Sequence, residues 1–178
     1  MDIQHVLLNP RGRIDPRTFL RGLILLTAGY MLMQMAEVFI SPAFFVLTVP
    51  IIYMYVCVFS KRLHDAGQSG WLYLVFLLGY VFVNLVLFAI LLPILSPVAS
   101  GILSELLELA AAGNSAGAEA LVEGREAELN QSLLLTSLTA FLTTSAILAT
   151  IAARLPSDPH SNRYGPPPAG MGRTSTPY

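Results

Sequence analysis

One stretch of the chain concentrates groups able to do chemistry: Lys61-Arg62-Leu63-His64-Asp65-Ala66-Gly67-Gln68-Ser69-Gly70-Trp71. It sets two cations, an imidazole and a carboxylate beside glycines. Three readings suit such a set. Lys61 and Arg62, with backbone N–H groups at a helix start, suit an anion such as a phosphate or a lipid headgroup. His64 and Asp65 could form an acid/base pair, but adjacent residues on a helix point in different directions and no nucleophile accompanies them. The plainer reading is structural. Lys61, Arg62 and His64 fall where a helix C-terminus carries partial negative charge. Gly67 can adopt the left-handed backbone that ends a helix, and Ser69 can cap a helix beginning near Trp71. No metal-ligand spacing and no nucleotide or nucleic-acid motif is present, so no cofactor, metal or nucleic-acid partner is expected. The single cysteine, Cys57, sits in an apolar run and reads as a small buried residue.

The elements that must position these groups are membrane helices. Hydrophobic residues make up 54% of the 178 residues and charged residues only 12%, against roughly 25% charged in a soluble domain. A helix crosses the hydrocarbon core with ~20 mostly apolar residues. Four segments qualify: about Phe19 to Phe39, about Pro42 to Phe59 with Pro50 as an expected kink, Trp71 to about Leu95, and about Leu133 to Ala153. The expected fold is therefore all-α, a four-helix transmembrane bundle spanning residues 19–153. Residues 1–18 form a basic leader, too closely followed by a long apolar run to be a cleavable signal. Residues 60–70 form a tight polar loop. Residues 154–178 form a Pro/Gly-rich tail whose distal part is expected to be disordered.

Residues 98–132 form an acidic connection. Leu103, Leu106, Leu107 and Ala110 follow helical spacing there, with Glu105 and Glu108 opposite. Two readings stay open. The segment is a short amphipathic hairpin at the membrane surface, or the third and fourth helices extend beyond the bilayer. With four spans, all of the 10 Lys and Arg residues except Arg125 share one side with the leader, the 60–70 loop and the tail. Glu37, Glu105, Glu108, Glu119, Glu123, Glu126 and Glu128 fall on the other. Basic residues collect in the cytoplasm, so both termini are expected there.

The stretch Arg62-Leu63-His64-Asp65-Ala66-Gly67-Gln68-Ser69-Gly70-Trp71 resembles the signature of the domain of unknown function 805 family, small bacterial inner-membrane proteins. Gly12-Arg13, followed by Arg17 and Phe19, is similar to the family's opening motif. Asn162-Arg163-Tyr164-Gly165-Pro166-Pro167-Pro168 is similar to its closing one. Pro16, Leu20 and Leu72 depart from the family's usual residues. The resemblance implies a bacterial inner-membrane protein of unestablished activity.

All three motifs fall on one side of the expected topology. Gly12, Arg13, Lys61, Arg62, His64, Asp65, Gly67, Ser69, Gly70, Trp71, Asn162 and Arg163 are thus the candidate residues of a cytoplasmic cap, with Asp65 pairing to Arg13 or Arg163. Either the cap holds a ligand or it only locks helix ends together, and the lock weighs more. Few ionisable residues lie in the spans, which argues against an ion pump. The leading expectation is a non-enzymatic accessory or scaffold protein whose cap binds anionic lipid or a protein partner. A small oligomeric transporter using Gln34, Asn84 and the hydroxyl-rich fourth helix, or an enzyme using His64 and Asp65, are the alternatives.

Overall fold

The structure is a computed structural model and describes residues 2–168. Its helices are α1 (Ile3–Leu8), α2 (Pro16–Phe39), α3 (Thr48–Asp65), α4 (Tyr73–Leu95), α5 (Pro97–Ala111) and α6 (Ser115–Ala153). Short 3-10 turns at Pro42–Leu47 and Gly70–Leu72 lead into α3 and α4. Among the described residues there is no strand, only an isolated bridge between Asn162 and Gly165. Four helical segments, Pro16–Phe39, Pro42–Asp65, Gly70–Leu95 and Ser115–Ala153, are long and apolar enough to cross a membrane. The protein is a multi-pass, all-α membrane protein.

Local chemistry sets the ends. Asp15 caps α2: one carboxylate oxygen accepts the N–H groups of Arg17 (2.8 Å) and Thr18 (3.0 Å), the other the Thr18 hydroxyl (2.6 Å). Pro16 follows at the first helical position, where its missing N–H is harmless. The same reasoning corrects the expected kink at Pro50. That residue lies in the first turn of α3, just past the 3-10 turn, where an N–H would have no partner within the helix. The leader also carries a helix that its sequence does not announce, the six-residue α1 capped by Asp2.

The largest departures concern the polar segments. Residues 60–65 are not loop: α3 continues through Lys61, Arg62, His64 and Asp65, and only Ala66–Ser69 turn. α6 begins at Ser115, well before the expected Leu133. At 39 residues it is about 58 Å long, nearly twice the ~30 Å hydrocarbon thickness. α5 packs along its first half, so the acidic connection is a helical hairpin that turns at Ala112–Asn114; the third span stops at Leu95, and only the fourth runs on continuously into this connection. The α5 stripe is also rotated from the expected one. Ala99 and Ile102 are buried against α6, while Leu103 and Leu107 face outward. A hydroxyl clasp fixes this register. Ser96 Oγ donates to the Ser132 carbonyl and lies 2.7 Å from Thr136 Oγ1, and Ala99 N–H donates to Ser132 Oγ (3.3 Å). α6 itself bends at Arg125, whose φ of −128° and ψ of 18° leave helical values.

The apolar core sits at one end of the bundle. Val6, Phe19, Leu23, Val58, Phe59 and Ala152 are buried together there. Phe19 and Phe59 meet edge to face at 5.2 Å. Gly22 admits α1: a Cβ there would lie 3.0 Å from Val6 Cγ1.

The clasp yields a test. Thr136→Val keeps the shape and removes the hydroxyl, and a hydrogen bond between membrane helices is worth about 0.6–1.7 kcal/mol. The variant is expected to unfold at lower denaturant by that margin when the protein is titrated with SDS in mixed micelles. An unshifted midpoint would show that the clasp does not hold α5 on α6.

Candidate functional site

Directly above that core, the last two turns of α3, the leader and the segment after α6 close into a polar cap. At its centre is Asp65, 0% exposed. One carboxylate oxygen accepts Arg13 Nε (3.2 Å) and Nη2 (3.1 Å). The other accepts Arg62 Nη1 (2.7 Å) and the Ser157 hydroxyl (2.6 Å). The Asp65 carbonyl, freed at the end of α3, accepts the Asp158 N–H (2.8 Å). One acid therefore joins three segments far apart in sequence.

The two guanidinium groups carry the cap further. Arg62, 0% exposed, donates from Nε to the Ala152 carbonyl (3.1 Å) and from Nη2 to the carbonyls of Ala153 (3.2 Å) and Leu155. It thereby binds the carbonyls at the end of α6, where the helix dipole favours a cation. Its Nη1 also reaches Ser157 Oγ (3.2 Å). Arg13 donates to the carbonyls of His160 (2.7 Å), Asp158 and Gly165 (3.4 Å). Lys61, also 0% exposed, does for α1 what Arg62 does for α6: its Nζ donates to the carbonyls of His5 and Val6. Three buried cations thus face one buried carboxylate, and helix-end and turn carbonyls supply the remaining negative potential.

His64 points away from Asp65. Its Nδ1 donates to the Gly12 carbonyl (3.1 Å), and its ring stacks on Tyr164 at 3.7 Å. Arg163 covers Tyr164 at 4.7 Å. A Cβ on Gly70 would lie 2.9 Å from His64 Nε2 and 3.3 Å from Ser60 Cβ, so only glycine fits there. Asn162 donates to the His64 carbonyl and to Asp158 Oδ2, both at 3.1 Å, and pairs with Gly165 across a tight turn. The backbone N–H of His160 and the Asn162 amide hold the Asp158 carboxyl below its ordinary 3.8. A lowered value means this contribution is present above the ordinary range and is lost as pH falls through the folded value.

Most of the sequence-chosen residues meet here: Gly12, Arg13, Lys61, Arg62, His64, Asp65, Gly70, Asn162 and Arg163. Asp65 takes Arg13 as its partner, and Arg62 as well, but not Arg163. Gly67 (φ +71°) ends α3 in a Schellman motif, with Gly67 N–H on the His64 carbonyl and Gln68 N–H on that of Leu63. Ser69 caps the following turn (3.4 Å to Trp71 N). Trp71 is 81% exposed and takes no part in the cap. Sequence reading missed Ser157, Asp158 and Tyr164. Only Tyr164 left a signal, as the aromatic residue of the closing motif.

Apart from the His5 and Val6 carbonyls that Lys61 binds, the arrangement falls within a family match. Residues 7–166 match the family described as protein of unknown function (DUF805). The chain belongs to the DUF805 family. Comparison with curated proteins and with solved structures finds no match. The DUF805 match begins within the leader and ends just past the turn that Arg13 holds, so Arg13 and the 157–165 segment that it binds lie inside it.

Removing one partner of a buried ion pair costs about 3–5 kcal/mol. Asp65→Asn, which strands Arg13 and Arg62, is expected to lower stability by that amount. Trp71→Ala, at the exposed rim, should stay within about 0.5 kcal/mol of the parent. Thermal unfolding in detergent measures both, and similar losses in the two would contradict the central place given to Asp65.

Proposed function

We propose that this DUF805 protein is a non-enzymatic scaffold of a bacterial inner membrane, with both termini in the cytoplasm, whose basic end binds anionic lipid headgroups. The observation that carries this reading is a division among the cations. Arg13, Lys61 and Arg62 are consumed inside the cap. Arg11, Arg17, Arg21, Arg154 and Arg163 are exposed around it, and among the described residues none of the five forms an ion pair. The acids at that end are engaged: Asp15 in a helix cap, Asp65 in the core of the lock, Asp158 with Asn162. The outward face is therefore cationic, which suits phosphate groups of an anionic leaflet and the cytoplasmic preference of Lys and Arg. Of the cap residues chosen by sequence it leaves only Arg163 in the ligand role, and it moves the rest of that role onto the arginines around the cap.

A transporter reading draws on a polar cleft of about 520 Å³ at the opposite end, lined by Gln34, Glu37, Glu126 and Gln131 among others. Asn84 does not line it. The buried core stands between that cleft and the basic end. The scaffold reading is preferred.

Each cation near an anionic surface contributes ~1 kcal/mol, roughly fivefold in affinity. Native mass spectrometry of protein taken from mixed phosphatidylglycerol and phosphatidylcholine bilayers should show phosphatidylglycerol retained. Replacing Arg11, Arg17, Arg21 and Arg154 together by Gln should abolish that preference while leaving the unfolding midpoint in place. Retention equal to wild type would refute the reading. Sidedness has its own test: Arg11→Cys should react with an impermeant maleimide only in inverted vesicles, against a silent background because Cys57 is buried.

A further inference from the structure

The four spans do not close evenly. α2 packs on α3 and α6, and α4 packs on α6, but α3 and α4 meet chiefly at the basic end, where Phe59 touches Tyr73 and Phe76. The gap between them is a cavity of about 210 Å³. Tyr55 and Phe59 of α3 face Tyr73 and Tyr80 of α4 across it, with Tyr30 and Phe141 behind. A second apolar cavity of about 240 Å³ shares Phe76 with the first and ends against Leu155 and Pro156, at the basic end. The two lie end to end as a slot from the middle of the bundle to its basic rim, with the Phe76 ring, 5.4 Å from that of Phe59, as the partition that a chain would have to turn aside to occupy both. Arg154, exposed, immediately precedes the residues at the rim.

Length, lining and mouth each restrict what fits. Along α4 the first cavity runs from Tyr73 to Val81, about 12 Å of helix. A cavity of about 210 Å³ drawn out over that length is narrow. A helix with its side chains is about 10–12 Å across, so a second copy of the chain cannot enter. The lining is almost wholly aliphatic and aromatic, and the slot lies among membrane-crossing segments, so water is a poor occupant. A cation at one end and hydrocarbon along the rest match an amphiphile with a single chain inserted.

We propose that the slot between α3 and α4 seats one acyl chain of a phospholipid, entered from the basic end with the headgroup beside Arg154. The headgroup half rests on the lipid reading above. The chain half stands on the slot alone.

The test uses the full chain in vesicles of phosphatidylglycerol carrying a diazirine midway along one acyl chain, with phosphatidylcholine carrying the same chain in parallel. After irradiation, mass spectrometry locates the adducts. They are expected to concentrate on Tyr55, Tyr80 and Phe141, and to fall several-fold in Leu77→Trp, which fills the slot from α4. Ser145→Phe, which fills it from α6, serves as the second blocking variant should the first fold poorly. Adducts spread over the outward residues Leu78, Phe82 and Leu85, unaffected by either variant, would overturn the proposal by showing ordinary surrounding lipid. So would a slot left unlabelled by both lipids. Equal slot labelling by the two lipids would uphold the chain site and refute headgroup selection, which separates this inference from the reading it extends.

Discussion

Everything at the basic end depends on neutralising buried positive charge. Arg13, Lys61 and Arg62 are withdrawn from solvent, and Asp65 is the one carboxylate buried with them. An isolated buried cation costs several kcal/mol, so this arrangement would be untenable if the carboxylate were the whole answer. It is not. The ends of α1 and α6 and the turns after α6 contribute backbone carbonyls, which are obliged to find donors anyway. Each cation binds carbonyls of this kind. The same bonds fix where α1 lies, through Lys61, and where the leader and the 157–165 segment lie, because the guanidinium fork of Arg13 donates to its partners only in one plane.

This arrangement explains why the core lies at one end rather than at the middle of the spans. In hydrocarbon, apolar side chains gain little by leaving lipid for one another. Near the boundary, where α1 and the leader fold over the bundle, burial removes surface from water and is favourable. Val6, Ile14 and Phe19 pack there, beneath the lock. Farther along, α3 and α4 are free to part, and the slot between them follows from the absence of a force to shut it.

The four spans were legible because bilayer thickness filters the sequence in one dimension, and apolar runs pass or fail. Gly67 and Ser69 were legible because their roles are local. The meeting of Arg13 with Asp65 could be read from the three motifs sharing one side. The task of Arg62 could not, since its main partners are backbone carbonyls, which every residue carries. The same holds for Lys61 and α1. On α5, leucines occupy more than one face, and the choice between faces was made by the Ser96 and Thr136 hydroxyls, distant in sequence. The length of α6 was hidden by its glutamates, which look like a connection until α5 is laid beside them.

The lock also imposes an order on the protein's birth. Arg13 and the Asp158 carbonyl that it binds are 145 positions apart, and Arg62 waits for carbonyls 90 to 93 positions further on. During synthesis, α2 and α3 enter the membrane with Lys61, Arg62 and Asp65 exposed to water at the boundary. Lys61 and Asp65 can already meet the leader, but Arg62 finds its carbonyls only when the segment after α6 leaves the ribosome. The early helices are therefore inserted before they are fastened, and the final residues of the cap act as the closing step of assembly.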